Sequence, residues 1–469
     1  MADIQLTAPV HRRRFPSVPH PATLIARVKK DSLLRNSVFI MGTTVTTSLL
    51  GYIFWVVAAR AYSAYDVGLA SALISGASFA SALSILGVSS TMIQTLPKRA
   101  NGRPWSIALN TGMLVGTISG LAGGVCLVVL MPAISGHFSL LRVSPLADVL
   151  LLVNVPLWSI ATILDFTFIA ERRAGRMLLR NSVFSAVKIS LLLVPVIVGT
   201  ATTVAVLGSW TAATLASVVV GVALMLALNR GWQPAVKGAW AEARRMLSSM
   251  AGNHLINLGG SLPLYLLPVL VTVRLSATAN AYFYTTWMIG GLFFMVSNSV
   301  AASLFAEGSH AAEHLRSNVV KSARITAILL VPAMLVCVLF GRYIMNIFGP
   351  AYPNHGFGLL LVLTVAGIPD AITAIFVSAM RVQGRLRLCG ALTISMATIT
   401  LGLAWILVPR MGVMGAGVAW LIGQTAGTVV VVGYVALQTR RRTFVQPIPV
   451  VFEVEPSAEI ADLAVGSER

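Results

Sequence analysis

Few side chains in this sequence could do chemistry, and most of those lie in long apolar runs. Asp370 follows Pro369 inside one run, and Asp165 sits in another. A carboxylate held away from water must bind a proton, a cation or a neighbouring positive group. It can therefore couple solute movement to a proton or Na⁺ gradient, or simply pair with a cation such as Lys188, which also lies in an apolar run. Arg60 and Arg274 end two further runs. A guanidinium grips phosphate as a two-pronged fork, and two together could hold a diphosphate; the alternative is that each reaches out to lipid headgroups. Neutral polar groups cluster too. Thr47 stands among Thr43, Thr44, Thr46 and Ser48; Asn253, His254 and Asn257 precede Ser261, Pro263 and Pro268; Asn298 follows Tyr282, Tyr284, Thr285, Thr286, Trp287 and Ser297. Ser71, Ser75, Ser78, Ser81 and Ser84 recur every three or four residues and so share one helical face. Such groups can line a polar cavity or let helices pack closely.

No constellation for catalysis is present. The chain has no HExxH, GxSxG, CxxC or GxxxxGK[ST], so neither an enzyme nor an ATP-driven motor is expected. Its three cysteines, Cys126, Cys337 and Cys389, lie far apart in or beside apolar runs, and no disulfide, metal site or cofactor is expected.

The elements that must position these residues follow from composition. Of 469 residues 57% are hydrophobic and only 10% charged. An ordinary soluble domain is about 25% charged, so a soluble multidomain protein is excluded. The apolar runs are continuous rather than alternating, which rejects an outer-membrane barrel. A helical span needs about 20 apolar residues. Twelve are read: Phe39–Ala59, Leu69–Ile93, Ala108–Leu130, Leu150–Ala170, Ser182–Val198, Val204–Leu228, Leu255–Val273, Tyr282–Leu304, Thr326–Ile347, Phe357–Met380, Leu388–Val408 and Gly415–Leu437. The formal charge is +19. All but six of the 34 Lys and Arg fall in the termini and the even-numbered connections; the six are Arg60, Arg142, Arg274, Arg342, Arg410 and Lys188. This alternation puts both termini in the cytoplasm. It also removes nucleic acid as a partner, because the charge is spread over seven short segments.

The two halves resemble each other. Trp210 precedes Arg230 by the same interval as Trp420 precedes Arg440. The stretch from Phe168 through Arg173, Gly175 and Arg176 aligns with Phe376 through Arg381, Gly384 and Arg385, with one inserted Gln. Asn36 and Asn253 precede spans that end at Arg60 and Arg274. The expected organisation is a flexible basic cytoplasmic arm (1–35), a six-helix bundle (36–230), a cytoplasmic linker (231–245), a second six-helix bundle (246–442) and a flexible acidic tail (443–469). Such a repeat suggests a cavity between halves that rock against each other. Spans 1, 2, 7 and 8 are the most polar and are expected to line it.

The order and spacing of several short segments resemble the polysaccharide-biosynthesis (O-antigen flippase) branch of the multidrug/oligosaccharidyl-lipid/polysaccharide exporter superfamily. They are Ala59–Leu69 with Tyr65, Asp66 and Gly68, then Leu86-Gly87 and Leu96-Pro97-Lys98, then Leu178–Asn181, Phe348–Tyr352 and Pro409–Gly417. The resemblance covers residues 34–437. It implies an all-α fold of 12 transmembrane helices in two pseudo-symmetric bundles, similar to multidrug and toxin exporters (MATE). It also implies a multi-pass protein of the bacterial cytoplasmic membrane that flips polyprenyl-diphosphate-linked oligosaccharide for cell-surface polysaccharide, including lipopolysaccharide. The expected partners are that substrate, membrane lipids and a polysaccharide polymerase or glycosyltransferases. On this reading Arg60, Arg274, Asn253, His254, Asn257, Asn298 and Thr47 would bind substrate, and Asp370 and Asp165 would couple a proton or Na⁺ gradient. The alternatives are a multidrug/cation antiporter of the same superfamily, a scaffold subunit of a polysaccharide assembly machine, and a membrane glycosyltransferase, polymerase or ligase. The last would be expected to carry a long outer loop, and this chain has none.

Overall fold

A computed structural model describes residues 32–85, 88–248, 251–310 and 315–444. Its spanning helices, in chain order, are α1 Ser32–Ala61, α2 Ala64–Ser84, α3 Arg103–Ile134, α4 Pro145–Ala170, α5 Ala174–Val198, α6 Thr203–Leu226, α7 Ala251–Arg274, α8 Ala277–His310, α9 Leu315–Asn346, α10 Tyr352–Val382, α11 Leu386–Met411 and α12 Val413–Phe444. Each is long and apolar enough to cross a membrane, and the chain is a multi-pass membrane protein. Twelve is even, so α1 begins and α12 ends on one side, here termed the arginine-rich end. In lipid every backbone N–H and C=O must be satisfied within the protein, which is why the spans are helices with short connections. Local chemistry sets their ends. Ser63, Ser144 and Thr202 cap α2, α4 and α6 by accepting from backbone N–H groups of Asp66, Ala147 and Ala205. Gly199 closes α5 with a left-handed φ of 76° that a side chain would strain.

Packing repeats between the halves. In the first, α1 packs on α5, α5 on α6, α4 on α6, α3 on α4, and α2 on α3 and α4. In the second, α7 packs on α11, α11 on α12, α10 on α12, α9 on α10, and α8 on α9 and α10. This is one neighbour pattern used twice. Between the halves, α2 packs on α7 and α8. Gly68 allows that approach: a Cβ there would lie 1.7 Å from the carbonyl oxygen of Ala277. Asn280 then donates from Nδ2 to the Gly68 carbonyl (2.8 Å) and to Ser71 Oγ (3.0 Å).

Three segments differ from the hydropathy reading. The second expected span is two helices, α2 and a short Val88–Thr95; Val88 and Met92 pack with Trp105, Leu109 and Phe168 in a separate core near the arginine-rich end. The connection before α5 is a tight turn with Arg172 at φ 54°, and Arg176 and Arg180 lie inside the helix. Both arginines are satisfied there, so their charge does not end the span. Arg176 donates to the carbonyls of Leu224 (2.7 Å) and Ala227 (3.0 Å), while Arg180 pairs with Asp165. Finally, the segment expected as a linker is strapped to the first half. Asn110 donates to the carbonyls of Gln233 and Ala235, Arg230 pairs with Glu171 at 2.6 Å, and Glu242 of the helix Ala239–Ser248 pairs with Arg99 at 2.6 Å.

Candidate functional site

A cavity of about 460 Å³ lies inside the second half, lined by α7, α8, α10, α11 and α12. Its walls come from the early turns of α7 and α11 and the later turns of α8 and α10, which places it toward the arginine-rich end. The sequence suggested a cavity between halves lined by spans 1, 2, 7 and 8. Of these, α7 and α8 line the cavity described here, together with α10, α11 and α12, while α2 packs against α7 and α8. Two serines of the α2 face bond to neighbouring helices. Besides Ser71, Ser81 bonds Ser159 of α4 (2.9 Å), whereas the Ser84 hydroxyl donates back to the Ala80 carbonyl of its own helix (2.7 Å).

Asp370 is on the cavity wall and 7% exposed. Its Oδ2 is buried without a hydrogen-bond partner, and the Ser297 hydroxyl of α8 neighbours the carboxylate. Three donors share its situation. The indole Nε1 atoms of Trp287 and Trp420 and the Nε of Arg381 are also buried on this wall with no partner. Trp287, Trp420 and Phe294 form a mutual cluster with ring centroids 5.1–5.7 Å apart. Thr373 donates to the Asp370 backbone carbonyl (2.9 Å) and to Gln424 Oε1 (3.2 Å), tying α10 to α12. Asn257 and Asn298 complete the polar lining from α7 and α8. Unpartnered buried polar atoms are uncommon, since each costs about 1–3 kcal/mol. Four around one cavity leave both donors and an acceptor unmet.

The corresponding helices of the first half carry an aromatic cluster. Trp158 of α4, Phe184 of α5 and Trp210 of α6 pack together with Phe54 of α1. The ammonium of Lys188 lies 4.1 Å from the Trp210 ring centroid, 4.6 Å from Phe54 and 4.7 Å from Phe184. Lys188 thus takes its stabilisation from ring faces rather than from either aspartate.

The remaining sequence candidates do not converge on the cavity. Asp165 is held by Arg180 Nε (2.8 Å) and Nη2 (2.6 Å) and by the Asn181 amide, an ion pair internal to the first half. Arg60 donates from Nε to the Ile347 carbonyl (2.8 Å) and from Nη2 to the Asn346 carbonyl (2.7 Å). It thereby caps the C-terminus of α9 from the opposite half, where a cation meets the negative end of the helix dipole. Arg274 stacks on Trp405, 4.4 Å from Cζ to the ring centroid. Thr47 donates back to the Thr43 carbonyl at 2.8 Å. Asn253 and His254 fall on the first turn of α7, and their side chains lie outside the described residues. Cavity residues that the sequence reading did not select include Trp420, Gln424, Thr373 and Arg381. In the sequence Trp420 and Arg381 stand out only as markers of the repeat, not as cavity residues.

The named contacts that cross between halves fall at mid-depth or toward the arginine-poor end. They are Arg60 on α9, Asn280 on α2, Trp55 against Tyr284 (4.8 Å), Tyr52 against Phe348 (5.2 Å) and Ser48 against Met295 (3.7 Å). The conformation is therefore clasped at the arginine-poor end.

No protein-family model matches the chain, and no curated protein sequence matches it. Solved structures do. An inward-facing multidrug resistance MATE family transporter of the MOP superfamily superposes with a TM-score of 0.65 at 16% identity, over 85% of this chain and 96% of that one. The lipid II flippase MurJ, in an inward closed conformation, gives 0.63 at 11% identity, over 85% and 87%. A MATE protein in its bent conformation gives 0.52 at 16% identity, over 90% and 98%. The chain shares their fold. That places its two six-helix halves in an architecture known both from multidrug transport and from lipid II flipping. At these identities the likeness concerns the fold, and the cavity chemistry must carry any reading of the cargo.

Proposed function

We propose that this protein is a flippase that moves a polyprenyl-diphosphate-linked oligosaccharide across the cytoplasmic membrane by alternating access. The observation that carries the reading is the set of four unpartnered polar atoms around one cavity: Asp370 Oδ2, Arg381 Nε and the indole N–H groups of Trp287 and Trp420. A sugar hydroxyl both donates and accepts, so a glycan can satisfy all four; apolar ring faces stack on the faces of Trp287 and Trp420. The prenyl tail stays in lipid while the head group crosses in the polar space, and the clasp at the arginine-poor end prevents an open pore. Asp370 is the group placed to bind the coupling proton or Na⁺.

A multidrug/cation antiporter is the second reading, favoured by the same buried carboxylate beside three aromatic rings. A cationic drug would satisfy Asp370 but leave the three donors unmet. The two readings separate in proteoliposomes. With lipid-linked oligosaccharide in one leaflet and a membrane-impermeant glycan probe, the expected result is protein-dependent transfer that responds to an imposed gradient. Trp420→Ala should slow it on the order of tenfold or more, the scale of losing one buried stacking anchor. Asp370→Asn should remove the gradient response and leave residual transfer. Gradient-driven uptake of a cationic dye with no glycan transfer would replace this reading with the antiporter.

A further inference from the structure

A second pocket, of about 260 Å³, lies at the arginine-rich end of the first half. It is formed where the start of α1 meets the turn into α5, and it brings together Arg35, Asn36, Phe39, Arg172, Arg173 and Arg176. Four guanidinium groups would repel one another unless something anionic accompanied them. The local acid does not. Glu171 is occupied by Arg230 (2.6 Å) and by the Trp105 indole N–H (2.9 Å). Among the described residues no ion pair involves Arg35, Arg172 or Arg173. Arg176 is held by the α6 carbonyls, which fixes one wall of the pocket. Asn36 Oδ1 accepts from the Ala174 N–H (2.9 Å), fastening α1 to the first turn of α5. The N-terminal end of this 25-residue helix adds its own positive potential.

The repeat supplies a comparison inside the same molecule. At the corresponding turn of the second half, Arg381 lies over Phe305 (4.6 Å) and Arg385 contacts Tyr434. There the basic side chains lie on aromatic rings, whereas Arg172 and Arg173 are exposed, and among the described residues neither makes a cation–ring contact. The surroundings of the first-half pocket also differ from an aqueous anion site. Phe39 forms part of it, its ring about 3.6 Å from where a Cβ on Gly175 would lie. Val38, Met41 and Leu179 expose apolar side chains on the same two helices. The ligand must therefore present a phosphate to arginines and a hydrocarbon to the lipid-facing side of α1 and α5.

We infer that this pocket binds the phosphate of an anionic membrane lipid. Basic pockets between spanning helices at the membrane surface suit such headgroups, and arginine suits phosphate by its fork geometry. The bound lipid neutralises the turn between α4 and α5 and staples α1 to α5 at the rim of the first half. The inference does not depend on the cargo proposed above.

The test uses the full chain, purified in mild detergent and examined by native mass spectrometry. Phosphatidylglycerol, phosphatidylcholine and inorganic phosphate are added separately. The unaltered protein should retain phosphatidylglycerol in preference to zwitterionic phosphatidylcholine. Arg172→Gln with Arg173→Gln should weaken that retention on the order of tenfold, since each basic group near the surface adds an attraction of its own. Arg35→Gln, at a separate helix start, should weaken it as well and guards against a folding defect in the pair. Arg316→Gln with Lys321→Gln removes equal charge from the same end, on α9, and should change nothing. Equal retention by the pocket and α9 variants would overturn the proposal, as would binding of inorganic phosphate in place of the lipid.

Discussion

At the scale of single residues, the membrane interior makes every buried charge informative, because each must be compensated. Asp165 and Arg180 compensate each other through two N–H···O contacts, with the arginine side chain buried and the carboxylate partly so. Removing one partner leaves the other uncompensated, and buried pairs broken in this way cost about 3–5 kcal/mol. Arg180→Met and Asp165→Asn should each lower thermal stability by that order. The double variant should recover much of the loss, since no stranded charge remains; a fully additive double variant, measured by thermal unfolding in detergent, would show that the pair is not coupled. These residues also show what the sequence hid. Asp165 is visible in the sequence as a carboxylate at depth, but hydropathy puts Arg180 in a loop, because it penalises a charge without knowing that the partner lies one helix away. Asp370, Asn257 and Asn298 were legible as polar groups in apolar runs, and the structure places them on one cavity. The same reasoning paired Arg60 with Arg274, yet each meets a partner of its own.

At the scale of elements, the close approach of α2 to α8 depends on a missing side chain. A Cβ on Gly68 would meet Ala277 backbone atoms at 1.7 Å and 2.6 Å, and backbone cannot swing aside as a flexible side chain can. Gly68→Ala should therefore part α2 from α8 at the arginine-poor end, at a cost to the clasped state of about 1–3 kcal/mol, the usual scale of overpacking. Gly51 on α1 has nothing within 4 Å of an added Cβ, so Gly51→Ala is the matched control and should be neutral or slightly stabilising. Spin labels at exposed Tyr65 on α2 and Tyr343 on α9 would report the change. The expected outcome is a longer distance distribution for Gly68→Ala alone; an unchanged distribution would mean that the seam relaxes elsewhere. Hydropathy located all twelve spans, since length and apolarity are read directly. It could not distinguish a serine face that packs from one that lines water, because both require small polar side chains at the same spacing.

At the scale of the whole molecule, the clasp and the cavity pose one mechanical question. The cavity lies toward the arginine-rich end, while the named contacts between halves lie at mid-depth or toward the other end. Cargo can leave on the arginine-poor side only if those contacts part, and two similar bundles joined by a strapped segment can part by rocking. Arg60 is the contact most easily used to test this, since it is exposed and reaches the last carbonyls of α9 across the divide. Cysteines at Arg60→Cys and Asn346→Cys, in a chain with Cys126, Cys337 and Cys389 replaced, can be bridged by a short flexible reagent with a cleavable link. Bridging should stop glycan transfer in proteoliposomes, and cleaving the link should restore it. Each single-cysteine variant treated with the same reagent should keep most of its activity, although loss of the Arg60 cap should cost about 0.3–1 kcal/mol at the end of α9. Full transfer by the bridged protein would mean that the halves need not separate there, and the path across the membrane would then have to run inside the second bundle alone.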